Sequence, residues 1–186
     1  MSFQLILAGL TALLSTVTGW GFLGNQNQAD PKETLQPQEA VRETQPSSAA
    51  ATGDQNAEIL PVEKEVLALV NQEREKHGLK PLQLDAAVSK AADMKSKDMR
   101  DHHYFDHQSP TYGSPFEMMK QQGIDFKAAG ENIAAGQKTA EEVMDGWMNS
   151  EGHRANILNP DFTHIGIGYV QGGDYGTYWT QLFIQK

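Results

Sequence analysis

The spacing of apolar residues changes once along this chain, and that change limits the fold more than any other feature. Val62, Val66, Leu69 and Val70 fall on one helical face, which predicts a helix over 62–77. Gly78 is its stop signal. Leu84, Val88, Ala91, Ala92 and Met99 repeat the helical spacing over 84–99, with Asp85 placed as N-cap. A short helix fits 115–122. Thr139-Ala-Glu-Glu142 reads as a capping box opening a helix that buries Val143, Met144 and Trp147. Beyond that helix the period drops to two. Ile165, Ile167 and Tyr169 alternate, and so do Tyr178, Thr180, Leu182 and Ile184. Gly172-Gly173-Asp174 and Gly176 supply the turn between them, so the chain ends in an antiparallel hairpin. A shorter strand fits 131–134. Helices combined with a few antiparallel strands imply an α+β layered domain.

This patterning is confined to residues 61–186, which read as the single globular head. Residues 24–60 are rich in Gln, Pro, Ser, Ala and Glu, with few and unpatterned apolar groups. Such a stretch buries too little surface to offset its ordering entropy and reads as a disordered spacer. Residues 3–23 carry no charge, as expected of a signal peptide or membrane anchor, although no basic n-region precedes them. The layout is an envelope tether or export signal, a spacer and a head. The chain contains no cysteine, so the head has neither disulfides nor a thiolate metal site, and no cysteine is present to carry a lipid. The net charge is −9, and the head has no basic run; nucleic acid is therefore excluded as a partner. A monomeric head is expected.

Three polar clusters interrupt the apolar pattern. The first is His102-His103-Tyr104-Phe105-Asp106-His107-Gln108-Ser109-Pro110. Imidazole titrates near neutrality and ligates borderline metals. The aromatic pair between His103 and His107 marks the helix as already ended. His102 and His103 then read as solvated histidines at a helix C-terminus, favoured there by the dipole. The second cluster, Gly130-Glu131-Asn132-Ile133-Ala134-Ala135-Gly136, places two poor strand formers at the start of an apolar stretch. Either this is a site, or Glu131 pairs with an Arg and Asn132 caps a turn. The third runs from Trp147 to Pro160. Gly152 reads there as a helix breaker, leaving His153, Arg154 and Asn156 on a loop. Arg154 and Asn156 also suit a structural role, satisfying buried backbone groups. No His-Glu-x-x-His, no Gly-x-Ser-x-Gly and no phosphate loop is present.

In order and spacing, these segments resemble the CAP superfamily of cysteine-rich secretory, antigen five and pathogenesis-related proteins. The likeness is to its cysteine-free, secreted, YkwD-like bacterial branch. It covers residues 65–186 and rests on Val70-Asn71-Gln-Glu-Arg74, Gly78-Leu79-Lys-Pro81-Leu82, Ala92-Asp93-Met94 and Asp98-Met99. It continues through Tyr104-Phe105-Asp-His107-Gln-Ser109-Pro110 and Gly130-Glu131-Asn132-Ile133-Ala134-Ala-Gly136. It closes on Trp147-Met-Asn-Ser150-Glu-Gly152-His153-Arg154-Ala-Asn156, Ile165-Gly166-Ile-Gly168 and Tyr178-Trp179-Thr180-Gln181. The resemblance implies a three-layer α-β-α sandwich with a small antiparallel sheet. It also implies a cleft of two histidines and two acidic residues. His107 and His153 match the histidines and Glu131 the first glutamate. The family's second glutamate falls on Ser150, so Glu151 either replaces it or the site keeps three members.

Two imidazoles and one carboxylate suit a divalent cation, Zn²⁺ above all, with His107, His153 and Glu131 as candidate ligands. Ser109 and Asn132 are candidate supports through outer hydrogen bonds, with Ser150 and Glu151 beside them. Three functional readings follow from the resemblance. The first is a secreted or envelope-associated domain that binds an extracellular, wall or lipid ligand in this cleft. The second is a metal-assisted hydrolase with Glu131 as general base beside His107 and His153. The third is a structural module of a spore or wall layer, its cleft a mere hydrogen-bonding network. Binding is preferred, because no activated nucleophile is recognisable. Trp147 and Trp179 are expected in the core.

Overall fold

A computed structural model describes residues 59–186 of the chain. The expected signal or anchor over 3–23 and all but the end of the 24–60 spacer lie outside the described residues. Among the described residues no helix is long and apolar enough to cross a membrane.

The first helix, α1, runs Pro61–Lys76 and opens with proline in its first turn, where a missing N–H costs nothing. The chain then reverses at Gly78, whose φ is +71°. A two-residue strand, β1 (Gln83–Leu84), leads into α2 (Ala86–Asp101). Asp85 caps α2 by accepting a 3.0 Å hydrogen bond from the Val88 N–H. After α3 (Pro115–Gln121) comes β2 (Ala128–Ala135), then α4 (Ala140–Asn149) and α5 (Glu151–Ile157). The hairpin β3 (His164–Gln171) and β4 (Thr177–Gln185) completes the fold.

The strands form one sheet in the order β1-β3-β4-β2. β3–β4 and β4–β2 are antiparallel, whereas β1 runs parallel to β3, so the sheet is mixed rather than wholly antiparallel. Strand side chains alternate between faces, and each face of this sheet meets helices. Ile165, Ile167, Trp179 and Phe183 pack with Val66 and Val70 of α1 and with Val143 and Trp147 of α4. Leu182 and Ile184 pack against Val88, Ala91 and Ala92 of α2 and Met119 of α3. Trp147 and Trp179 are both core residues. The result is a three-layer α-β-α sandwich. Covering both faces explains why β4 is buried from Thr177 to Ile184 despite its alternating sequence.

Gly166 and Gly168 let α2 approach β3 closely. A Cβ on Gly166 would lie 2.2 Å from the Val88 carbonyl carbon, and one on Gly168 would lie 2.3 Å from that of Ala92. β1 is too short to cover the outer edge of β3. Side chains of the flanking helices take over. The Ile167 N–H donates to Ser89 Oγ at 3.4 Å, and the Tyr169 N–H is shared by Glu63 Oε1 at 3.2 Å and Asp93 Oδ1 at 3.3 Å. That satisfies an edge otherwise open to pairing with another chain.

Three local expectations are corrected. The short strand at 131–134 is eight residues long, because pairing with β4 carries it from Ala128 to Ala135. Gly152 does not break a helix; it lies inside α5. The break is at Ser150, whose extended backbone (φ −100°, ψ 122°) ends α4 and starts α5. Thr139 does cap α4, at 3.2 Å from the Glu142 N–H, but the box is not reciprocal. Glu142 Oε2 accepts from the Lys138 N–H at 2.7 Å instead.

Candidate functional site

The two poor strand formers of β2 sit back to back. Adjacent strand residues point to opposite faces, so Glu131 and Asn132 reach into different layers. Glu131 Oε1 accepts a 2.6 Å hydrogen bond from His107 Nδ1, across from the loop that follows α2. The contact commits Nδ1 to the carboxyl group and leaves Nε2 without a hydrogen-bond partner among the described residues. The Glu131 side chain is 2% exposed and the His107 ring 18%, which buries the acid and opens the imidazole. Glu131 Oε2 is buried and has no hydrogen-bond partner among the described residues.

Asn132 serves the other layer. Its Nδ2 donates to the His153 carbonyl of α5 at 3.1 Å and to Gln181 Oε1 at 3.0 Å. Asn156, one turn beyond His153, donates to Asn132 Oδ1 at 2.9 Å and to the Glu131 carbonyl at 3.1 Å. One dipeptide therefore grips both histidine-bearing segments: Glu131 by side chain to His107, Asn132 by side chain to the backbone of His153. Burial, and then the charge of nearby His107, hold the His153 imidazole below its ordinary pKa, favouring the neutral ring.

The loop carrying His107 is fastened by Asp98 of α2. Asp98 Oδ2 accepts from Ser109 Oγ at 2.6 Å and from the Tyr104 hydroxyl, and Oδ1 accepts from Thr111 Oγ1 at 2.6 Å. Burial pushes this carboxyl up, but the bonds from Ser109, Thr111 and Tyr104 outweigh it and hold the group ionised below its ordinary range. Ser109 thus supports the site through the loop, not by touching His107. His102 and His103 are exposed; His102 meets Asp98 at 2.9 Å and His103 meets Asp174 at 3.1 Å. Ser150 is the corner between α4 and α5 and makes no side-chain cap. Glu151 is exposed on α5 and has no ion pair among the described residues. It does not join the His107–Glu131 pair. Arg154 donates to the Met148 carbonyl at 2.7 Å, a structural bond between α4 and α5.

The trio His107, Glu131 and His153 does not have the form of three ligands around one ion. Glu131 Oε1 and His107 Nδ1 are spent on each other. Among the described residues no group of three or more His, Asp or Glu side chains is placed to hold a metal ion. The His107 loop also rests on a residue outside the three polar clusters, Lys95 of α2. It is 1% exposed and its Nζ donates to the His107 carbonyl at 3.0 Å. The sequence does carry a signal for it: Lys95 lies on the apolar stripe of Val88, Ala91, Ala92 and Met99, where a lysine has no reason to be unless it is paired.

A sandwich with two histidines brought to a Glu-Asn strand defines a class. Residues 67–183 match the model of the cysteine-rich secretory protein (CAP) family, and the chain belongs to that family. It is 54% identical over 165 residues to the uncharacterized protein YkwD of Bacillus subtilis, covering 85% of this chain and 63% of that protein. It is 41% identical over 124 residues to the uncharacterized membrane protein YlbC of the same organism, covering 67% of this chain and 34% of that one. The chain thus spans less than two thirds of either relative. A crystal structure of an extracellular SCP-domain protein from Bacillus anthracis superposes with TM-score 0.61 at 40% identity, covering 67% of this chain and 40% of that one. An outer surface protein of Borrelia burgdorferi shares the fold with TM-score 0.61 at 21% identity, covering 66% and 91% of the two chains.

Proposed function

We propose that this chain is an extracellular binding protein whose cleft, formed by His107, Glu131 and His153, holds a ligand of the cell wall or envelope. The single observation that carries the reading is the 2.6 Å bond from His107 Nδ1 to Glu131 Oε1. A carboxylate 2% exposed, committed to one partly accessible imidazole, fixes that ring in orientation. Such preorganisation lowers the ordering cost of binding a ligand. An extracellular setting is supported by the printed description of the Bacillus anthracis protein as extracellular. The uncharged segment 3–23 agrees with export or anchoring. A hydrolase is less well supported. Glu131 Oε1 is taken by His107 and Oε2 is buried, so neither oxygen is open to a water as a general base would need. Among the described residues no hydroxyl is paired with either imidazole as an activated nucleophile would be.

Co-sedimentation of the full chain with purified cell-wall sacculi tests the reading. Retention of the wild type, lost by at least tenfold in His107→Ala and His153→Ala variants that remain folded, is the expected result. Equal retention of all three would place the binding elsewhere. Release of soluble wall fragments by the wild type but not the variants would instead establish the hydrolase. A zinc titration of the same proteins asks whether the cation expected from the residue types takes part.

A further inference from the structure

We propose that Lys95 is the positioning residue of the cleft, setting the His107–Glu131 pair from beneath without touching either side chain's working atoms. The inference rests on the reading of His107 as a binding residue.

The geometry is specific. All three donors of the Lys95 ammonium are used: the Asp106 carbonyl at 2.7 Å, the His107 carbonyl at 3.0 Å and the Tyr104 hydroxyl at 3.2 Å. The ammonium also lies 4.9 Å from the centroid of the Tyr104 ring. Two consecutive carbonyls gathered on one cation fix the peptide between Asp106 and His107, and with it the direction of the His107 Cα–Cβ bond. The 2.6 Å bond to Glu131 tolerates little rotation of that direction. Lys95 also places its charge among Glu131, Asp98 and Asp106. Among the described residues it is the one lysine with a buried side chain, and it forms no direct ion pair. Its contacts are to the loop backbone and to Tyr104. Asp98, on the same helix, is taken by Tyr104, Ser109 and Thr111, and Lys95 reaches past it to the loop carbonyls.

The test is spectroscopic. A short imidazole-to-carboxylate bond gives a strongly downfield ring N–H proton, assignable to His107 by its absence in His107→Gln. In folded Lys95→Met the resonance is expected to vanish or move toward the free-imidazole position. The chain has no cysteine of its own, so Lys95→Cys can be alkylated with 2-bromoethylamine in denaturant and refolded, which restores an ammonium of nearly the same reach. The rebuilt ammonium should restore the resonance. An unchanged resonance in folded Lys95→Met overturns the proposal. So does a folded, aminoethylated Lys95→Cys that lacks it, which keeps the test decisive if Lys95→Met does not fold. None of these readouts uses a ligand, so failure of wall binding and failure of this inference are separable.

Discussion

Replacing Gly168 by Ala tests how closely α2 lies on the sheet. The added Cβ would meet the Ala92 carbonyl carbon at 2.3 Å, the Asp93 nitrogen at 2.4 Å and the Ala92 oxygen at 2.5 Å. Ordinary contact begins near 3.4 Å, so α2 has to retreat by roughly 1 Å. The obstacle is backbone, which has no rotamer to yield. Overpacking in a closed core costs about 1–3 kcal/mol, and a gap of roughly 1 Å forfeits up to half of the dispersion between the separated surfaces. Val88, Ala91 and Ala92 would all lose contact with Leu182 and Ile184. Together these give a loss of roughly 2–4 kcal/mol, read as a fall in the urea midpoint at constant slope. Because α2 also carries Lys95 and Asp98, the His107 loop should loosen with it. Gly146→Ala is the control: nothing lies within 4 Å of its Cβ, and it sits inside α4, so the variant should gain about 0.5–1 kcal/mol. A Gly168→Ala protein within about 1 kcal/mol of wild type, the low end of the overpacking range, would refute the close approach.

Trp179→Ala should cost roughly 3–5 kcal/mol by denaturant unfolding, since the ring is fully buried and its Nε1 donates to the Gln137 carbonyl at 2.9 Å. Glu63, buried and beside Asp93, has its pKa raised from 4.5 to about 7. A raised acid contributes stability that is present below pH 4.5 and lost as pH rises through about 7. Thermal unfolding across that window should show the loss in wild type and a flatter profile in Glu63→Gln. His153 has the opposite sign: its lowered pKa contributes stability above the ordinary value of 6.5 that is lost as pH falls below it. His153→Gln should remove that part of the acid-side decline, measured by the same melts.

The helices and the hairpin were legible because their signals are local. The stripe Val62, Val66, Leu69 and Val70 lies in one helix, Asp85 caps the next, and the glycines of 172–176 form the turn. The meeting of His107 with Glu131 was legible only through family resemblance, since residues 24 apart in sequence carry no local mark of contact. α5 was misread for a physical reason. Gly152, His153 and Asn156 lower its intrinsic propensity, and its helix is held by tertiary bonds such as those of Asn156 to Glu131 and Asn132. Ala128 to Gly130 likewise have no strand preference and are extended because Phe183, Ile184 and Gln185 pair with them. Glu131 and Asn132 look out of place in a strand until both faces are considered, where each has its own partner. Among the described residues no three-ligand set of His, Asp and Glu is assembled, and where the Glu131 carboxylate turns is set by the His107 loop rather than by any local mark in the sequence.

The most direct measurement is an amide NMR titration of the full chain with soluble fragments of purified cell wall. Shifts should concentrate on His107, Glu131, Asn132 and His153, and should disappear in folded His107→Ala. Shifts confined to other surfaces, such as the exposed Phe105–Tyr175 pair, or the same shifts surviving in His107→Ala, would contradict a binding cleft built on these residues.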